Sequence, residues 1–273
     1  MAVQQVPREK LFVVVDPGDE EHPALERTRI TAGLRRPAPV VSVYIARDDK
    51  TGKVGAGNLT RDQRWFDRAI REPLNDLLIE YEIAVSWDSQ WPEELLRVAA
   101  DFGSTMILLP VHDYGPSQRL VLNNAKWELL QYAPCPVLLV RPRASEKRRT
   151  ILAAVNFQVD GHRQLALNDR ILGHGKRVAN RYTADFHVVN AYRDSLHYPD
   201  RGRLARESGL SASRIHVRHG FTDEVVAEVA HDIDADMVVI GTLNQRGVVA
   251  SPRRGNTAAR VIAALRADTL VVN

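Results

Sequence analysis

Short apolar runs alternate with longer amphipathic stretches along the whole chain. The runs Leu11–Val15, Val40–Ala46, Ile83–Trp87, Met106–Pro110 and Val137–Val140 are rich in Val, Ile and Leu, with almost no polar alternation. Strands of this kind are covered on both faces, as in a parallel sheet flanked by helices. Between them lie stretches with apolar residues at helical spacing. The clearest spans about 61–81, where Trp65, Phe66, Ala69, Ile70, Leu74, Leu77, Leu78 and Tyr81 form one stripe. Thr60 with Gln63 makes a capping box at its start, and Pro73 should kink it by removing a backbone donor.

The same order then returns. Strands are predicted at 151–155, Phe186–Tyr192, Ile215–Arg218, Met237–Ile240 and Thr269–Val272. Helices are predicted at about 163–181, Asp223–Asp232 and Thr257–Leu265, with a reduced helix around Gly202–Ser208. Four anchors recur in one order: Leu11–Asp16 in Ile151–Asn156, Trp91–Leu95 in Phe221–Val225, Met106–Pro110 in Met237–Gly241, and Asn123–Val140 in Gly255–Val272. The chain is therefore a tandem repeat. Alternating β and α segments give α/β architecture: two tandem, doubly wound, parallel five-stranded sheets. Pro, Ser and charge cluster at Ala144–Arg149. The first domain is accordingly set at 1–146 and the second at 147–273.

Composition narrows the function classes. Among 273 residues, 37 basic side chains face 34 acidic ones, which is no nucleic-acid footprint. The densest basic run, Arg141–Arg149, reads as a solvated linker, with an anion patch as the alternative. The longest purely apolar runs are about five residues, far short of the roughly 20 of a membrane span. No secretory h-region opens the chain, so a cytoplasmic location is expected. Cys135 is the only cysteine, which excludes an intramolecular disulfide, and it reads as a packed thiol before a buried strand.

Parallel sheets bind ligands beyond the carboxyl ends of their strands, so chemistry is sought there. After the strand at 237–240 come Gly241, Asn244, Gly247 and then Gly255-Asn256-Thr257, which opens a helix. Glycines allow close backbone approach, and free N–H groups at a helix start favour phosphate. Arg246, Arg253 and Arg254 are candidate cationic partners for phosphate oxygens. A surface loop in which Thr257 caps the helix is the structural alternative. In the first copy Pro110 and Asn123-Asn124-Ala125 replace the corresponding residues, so that site is lost. Asp16 there is read as bonding the turn that follows it, with a ligand hydroxyl as the alternative.

These residues carry a resemblance. Gly241, Gly255-Asn256-Thr257-Ala258 before a helix, Ala133-Pro-Cys135-Pro-Val137, Ala154-Val155-Asn156 and His22-Pro-Ala-Leu25 resemble the universal stress protein family, in its tandem, E-type branch. The resemblance implies that the second copy binds ATP or a related adenine nucleotide, and that the protein acts as a stress sensor or regulator recruiting a protein partner. Gly241, Gly255, Asn256 and Thr257 map onto phosphate-contacting positions. Asn156 stands where many members carry a ribose-facing Asp, and Ala191 lies near the position whose backbone holds adenine. Asn244 replaces the second motif glycine, and the loop before Gly255 is one residue longer than the family pattern. The resemblance also implies that the two copies pair through their last strands across a pseudo-twofold axis, with further homodimerisation left open. An interaction module that uses no nucleotide is the alternative function.

Other motifs are set aside. His216 and His219 are three apart on a strand and face opposite sides, so they cannot chelate one ion. Gly173-His-Gly-Lys176 falls inside a predicted helix, away from any strand end. No nucleophile–base set gathers at the strand ends, so no catalytic residue is assigned, and a weak ATPase is the most activity expected.

Overall fold

All ten predicted strands form in the computed structural model, which describes residues 7–46, 63–86, 91–111, 124–142, 146–159, 161–243 and 257–273. In the first half, β1 (Lys10–Val15) lies between β2 (Val40–Ile45) and β4 (Met106–Pro110). β3 (Glu80–Val85) adds outside β2, and β5 (Val137–Val140) adds outside β4, every pairing being parallel. The second half repeats the arrangement. There β6 (Thr150–Ala154) lies between β7 (Asp185–Tyr192) and β9 (Met237–Gly241), flanked by β8 (Ile215–His219) and β10 (Asp268–Val272). Central strands are buried throughout, as their unbroken apolar sequences require.

The helices follow the predicted alternation: α1 (Pro23–Gly33), α4 (Trp91–Phe102) and α5 (Asn124–Tyr132), then α6 (His162–Tyr182), α7 (Arg201–Ser208), α8 (Thr222–Asp232) and α9 (Thr257–Ala264). Gly175 of α6 shows why one helix lies so close to its sheet. A Cβ there would fall 2.5 Å from the Phe186 ring, a contact no side chain survives. The chain divides into two compact units, residues 1–111 with 134–146 and residues 112–133 with 147–273. The second unit thus takes in α5, and the Asn273 Nδ2 donates to the Ala133 carbonyl at 3.1 Å.

The stripe predicted over 61–81 does not form one helix. It becomes α2 (Gln63–Phe66), a π-helical turn (Asp67–Arg71) and α3 (Glu72–Asn75). The Glu72 N–H reaches back five residues to the Asp67 carbonyl, so the wide turn falls just before Pro73, which brings no N–H of its own. Leu78 then adopts φ 52° and the chain turns into β3, three residues earlier than predicted. Leu78 is 91% exposed, and Tyr81 belongs to the strand.

Arg148 corrects the reading of the basic run. Its guanidinium is buried, with Nη2 donating to Asp268 Oδ2 at 2.6 Å and the Tyr182 ring 5.5 Å away. Cys135 is half-buried, and burial pushes its thiol up to about 12, so it stays protonated and inert.

Candidate functional site

In the second unit the chain runs outward from β6 through β7 to β8, then returns to β9 on the other side of β6. The carboxyl ends of β6 and β9 therefore flank the point where strand order reverses. Ala153 pairs with Val239, so Gly241 comes level with Val155, one residue before Asn156. Ala154 pairs with Val189, which brings Ala191 to the same edge from β7. Three residues scattered through 86 positions of sequence thus share one rim. Thr257 opens α9 and is exposed. Asn244, Gly247, Gly255 and Asn256 lie outside the described residues, as do Arg246, Arg253 and Arg254.

The chain after β6 is held by amides from two other elements. Asn168 of α6, fully buried, accepts the Asn156 N–H at 3.1 Å and donates to the Asn156 carbonyl at 2.8 Å. Gln164, one turn earlier, donates to the same Asn168 oxygen at 3.0 Å. The Asn156 side-chain oxygen accepts the Gln158 N–H at 3.1 Å, closing a short turn on itself.

Asn190 of β7 does more. Its Oδ1 accepts the Phe157 N–H at 2.7 Å and its Nδ2 donates to the Ala191 carbonyl at 3.0 Å. The Val155 N–H still pairs with the Val189 carbonyl, as the parallel ladder demands. One rung further on, the Asn190 carboxamide stands between the two strands as a wedge. Phe157 is buried beside it, with the Arg203 guanidinium 5.6 Å from its ring. Sequence reasoning passed over Asn168 and Asn190. The available signal was a polar residue inside an apolar element, as in Val188-Val-Asn-Ala191.

Gly241 also has a packing reason. A Cβ on it would fall 2.7 Å from the Leu167 side chain of α6, so the space over this residue is already filled.

At the carboxyl ends of the first sheet, Pro110 closes β4 and Asp16 follows β1. Asp16 Oδ1 accepts the Gly18 N–H at 2.7 Å, the turn-bonding role. Tyr44 of β2 is buried and donates to Glu94 Oε2 of α4 at 2.9 Å; the Ser86 hydroxyl donates to the same oxygen. Burial pushes the Tyr44 phenol well above its ordinary value, so it stays protonated and donates, and the trio ties α4 to the sheet. A cavity of about 420 Å³ opens nearby between α1 and the helical segment after it, lined by His22, Leu25, Arg29, Ala69 and Pro73.

Among the described residues no helix is long and apolar enough to cross a membrane. His216 and His219 point apart as expected: His219 lies against Tyr192, and His216 meets His187.

The sequence pattern of the Universal stress protein family matches residues 7–141 and 184–273. Universal stress protein E of Escherichia coli K12 is 25% identical over 298 aligned residues, covering 97% of this chain and 93% of the relative. A solved protein of unknown function from Pseudomonas aeruginosa PAO1 superposes with a TM-score of 0.79 at 23% identity, covering 97% of this chain and 92% of that one. A universal stress protein from Archaeoglobus fulgidus DSM 4304 superposes at 0.67 with 13% identity, covering 96% and 98%. The two superpositions establish the fold, with both tandem halves included.

Proposed function

The chain belongs to the universal stress protein family, and from that premise we propose that its second unit binds an adenine nucleotide, ATP, ADP or AMP, and signals its presence to a protein partner. The observation that carries this reading is the meeting of Asn156 and Gly241 at the reversal of strand order, the place where open α/β sheets take ligands. In this reading Thr257 and the N–H groups at the start of α9 receive phosphate. On this reading the role is sensing rather than turnover. Nucleotide bound at the rim then alters what the surrounding surface binds.

A second reading, an interaction module without nucleotide, is favoured by one observation. The Ala191 carbonyl and the Phe157 N–H are both already engaged by Asn190, and Leu167 fills the space over Gly241. Isothermal titration of the full chain with ATP, ADP and AMP separates the two. Saturable heat that Thr257→Ala weakens supports nucleotide binding. Neither heat nor a thermal shift at millimolar nucleotide leaves the module reading.

A further inference from the structure

α6 carries five Lys or Arg and a single acid, Asp169. Most of those cations stand on one line. At about 100° per residue, Arg163, Arg170, His174, Arg177 and Arg181 fall within an arc of about 60°. Successive members are seven, four, three and four residues apart, close to whole turns. At 1.5 Å per residue the stripe runs about 27 Å along the helix. It borders the buried face of Leu167, Ile171 and Val178. Lys176 leaves by the other flank, where its Nζ donates to the Glu207 carbonyl of α7 at 3.3 Å. Asp169 lies about 80° outside the arc.

All four arginines of the stripe are exposed. Among the described residues no carboxylate forms an ion pair with Arg163, Arg170 or Arg177, although the same unit pairs Arg203 with Glu207, Arg214 with Asp185 and Arg218 with Asp232. The Arg177 guanidinium lies back over Gly173, its Nη1 3.4 Å from where a Cβ would stand. His174 is half-buried in the same row, and the charges that act on its ring are those of Arg177, Arg170 and Arg181. α8 of the same unit holds Asp223, Glu224, Glu228 and Asp232 and no Lys or Arg. Cationic charge is thus concentrated on α6 and not spread evenly over the helices.

From this geometry we propose that α6 is a docking surface for an acidic, amphipathic helix of a partner protein, whose carboxylates pair with Arg163, Arg170, Arg177 and Arg181. Glu or Asp side chains repeating every three or four residues on a partner helix advance at the same pitch as the arginines, so the two rows stay in step. The guanidinium fork takes a carboxylate by two parallel hydrogen bonds, which lysine does not. A stripe without Phe, Tyr or Trp offers bases no stacking surface, and the chain's 37 basic side chains face 34 acidic ones, so nucleic acid fits less well. An exposed ion pair contributes little by itself, so recognition needs the row as a unit and weakens with salt. The surface belongs to the partner half of the proposed function and rests on that half alone; nucleotide plays no part in it.

The test is fluorescence anisotropy of the full chain with a labelled, alanine-rich helical peptide that carries five glutamates at the spacing of the stripe. Its isomer, with the same five glutamates spread evenly round the helix, is the comparison. The striped peptide should bind the native chain about tenfold more tightly than the isomer, and lose that margin between about 0.05 and 0.3 M salt as the Debye length shrinks. Arg170→Gln with Arg177→Gln should abolish the margin, while Lys176→Gln keeps it. Burial, helped by the arginines, lowers His174 to about 4; bound striped peptide should raise it, read by proton NMR of the ring, because carboxylates beside those arginines offset their charge. Equal affinity for the two peptides overturns the proposal, and the native chain alone decides that even if a variant folds poorly. So does tighter binding of a short DNA duplex or of phosphatidylserine vesicles than of the striped peptide, or a dimer of the chain alone that the double change disperses. No nucleotide is present in the assay, so failure here and failure of nucleotide binding are read separately.

Discussion

Replacing Asp268 with alanine should be among the most damaging single changes in the second unit. Arg148 and Asp268 are both buried, 4% and 7% exposed at their side chains, and meet at 2.6 Å. Asp268→Ala removes the carboxylate and leaves a guanidinium in an apolar setting, near the Met237 sulfur and the Tyr182 ring. Breaking a buried pair from one side costs about 3–5 kcal/mol, because the surviving charge has lost its compensation. That is a large part of the 5–15 kcal/mol by which domains are typically stable. With a urea m-value of about 2 kcal/mol/M, the midpoint for the second unit should fall by about 2 M. The double change Arg148→Met with Asp268→Leu removes both charges and should return most of the loss, since apolar replacement of a whole buried pair is often neutral or better. Added salt should leave the single variant's deficit largely intact, because buried charges are poorly screened. Urea unfolding followed by circular dichroism measures all three. A midpoint shift below about 0.5 M for Asp268→Ala, or a double variant no better than the single one, would refute the reasoning.

Acid should weaken the second unit well before its carboxylates are protonated. Burial, helped by Arg177, Arg170 and Arg181, lowers His174 to about 4, so between about pH 6.5 and 4 the unfolded chain holds a proton the folded one lacks. Stability is therefore present above pH 6.5 and falls on acidification, by of order 1–3 kcal/mol for this half-buried ring after allowance for solvent, and urea midpoints of His174→Gln should show a flatter pH dependence. On the nucleotide reading, base selection should be weak, with AMP and IMP binding within about threefold of each other by titration calorimetry, a factor worth well under 1 kcal/mol. The cause is the Asn190 carboxamide, which already donates to the Ala191 carbonyl that an adenine amino group would need; a tenfold preference for AMP would show that the amide yields to the base.

The positions of the strands were readable because each central strand of a parallel sheet is an uninterrupted apolar run, and two copies of the pattern checked one another. Boundaries were lost where that signal is ambiguous. Leu77, Leu78 and Tyr81 continue the stripe of Trp65–Leu74 at helical spacing, yet spacing cannot show that Leu78 turns left-handed and that Tyr81 already belongs to β3. The basic run 141–149 misled for a different reason. Its charge is local in sequence, whereas the carboxylate that buries Arg148 lies 120 residues away.

The candidate site divides along the same line. The resemblance pointed to Asn156, Ala191 and Gly241, and the parallel register of the fold brings the three to one rim. What fills the space between them could not be read, because it depends on side chains from a helix and a neighbouring strand that bond main-chain atoms of the loop. Gly241 illustrates the difference. In sequence it stands as a residue that admits a ligand, but in the fold the missing Cβ makes room for Leu167. Asn190 acts likewise: its amide offers a donor beside an acceptor, the same pair that the amino edge of adenine offers, and satisfies Ala191 and Phe157 from within. On the nucleotide reading, a base here meets an Ala191 carbonyl with one lone pair already engaged and a Phe157 N–H already bonded, by hydrogen bonds that contribute about 1 kcal/mol each. On that reading the chemistry of the base is the weaker part of recognition at this rim, and phosphate at the start of α9 the stronger.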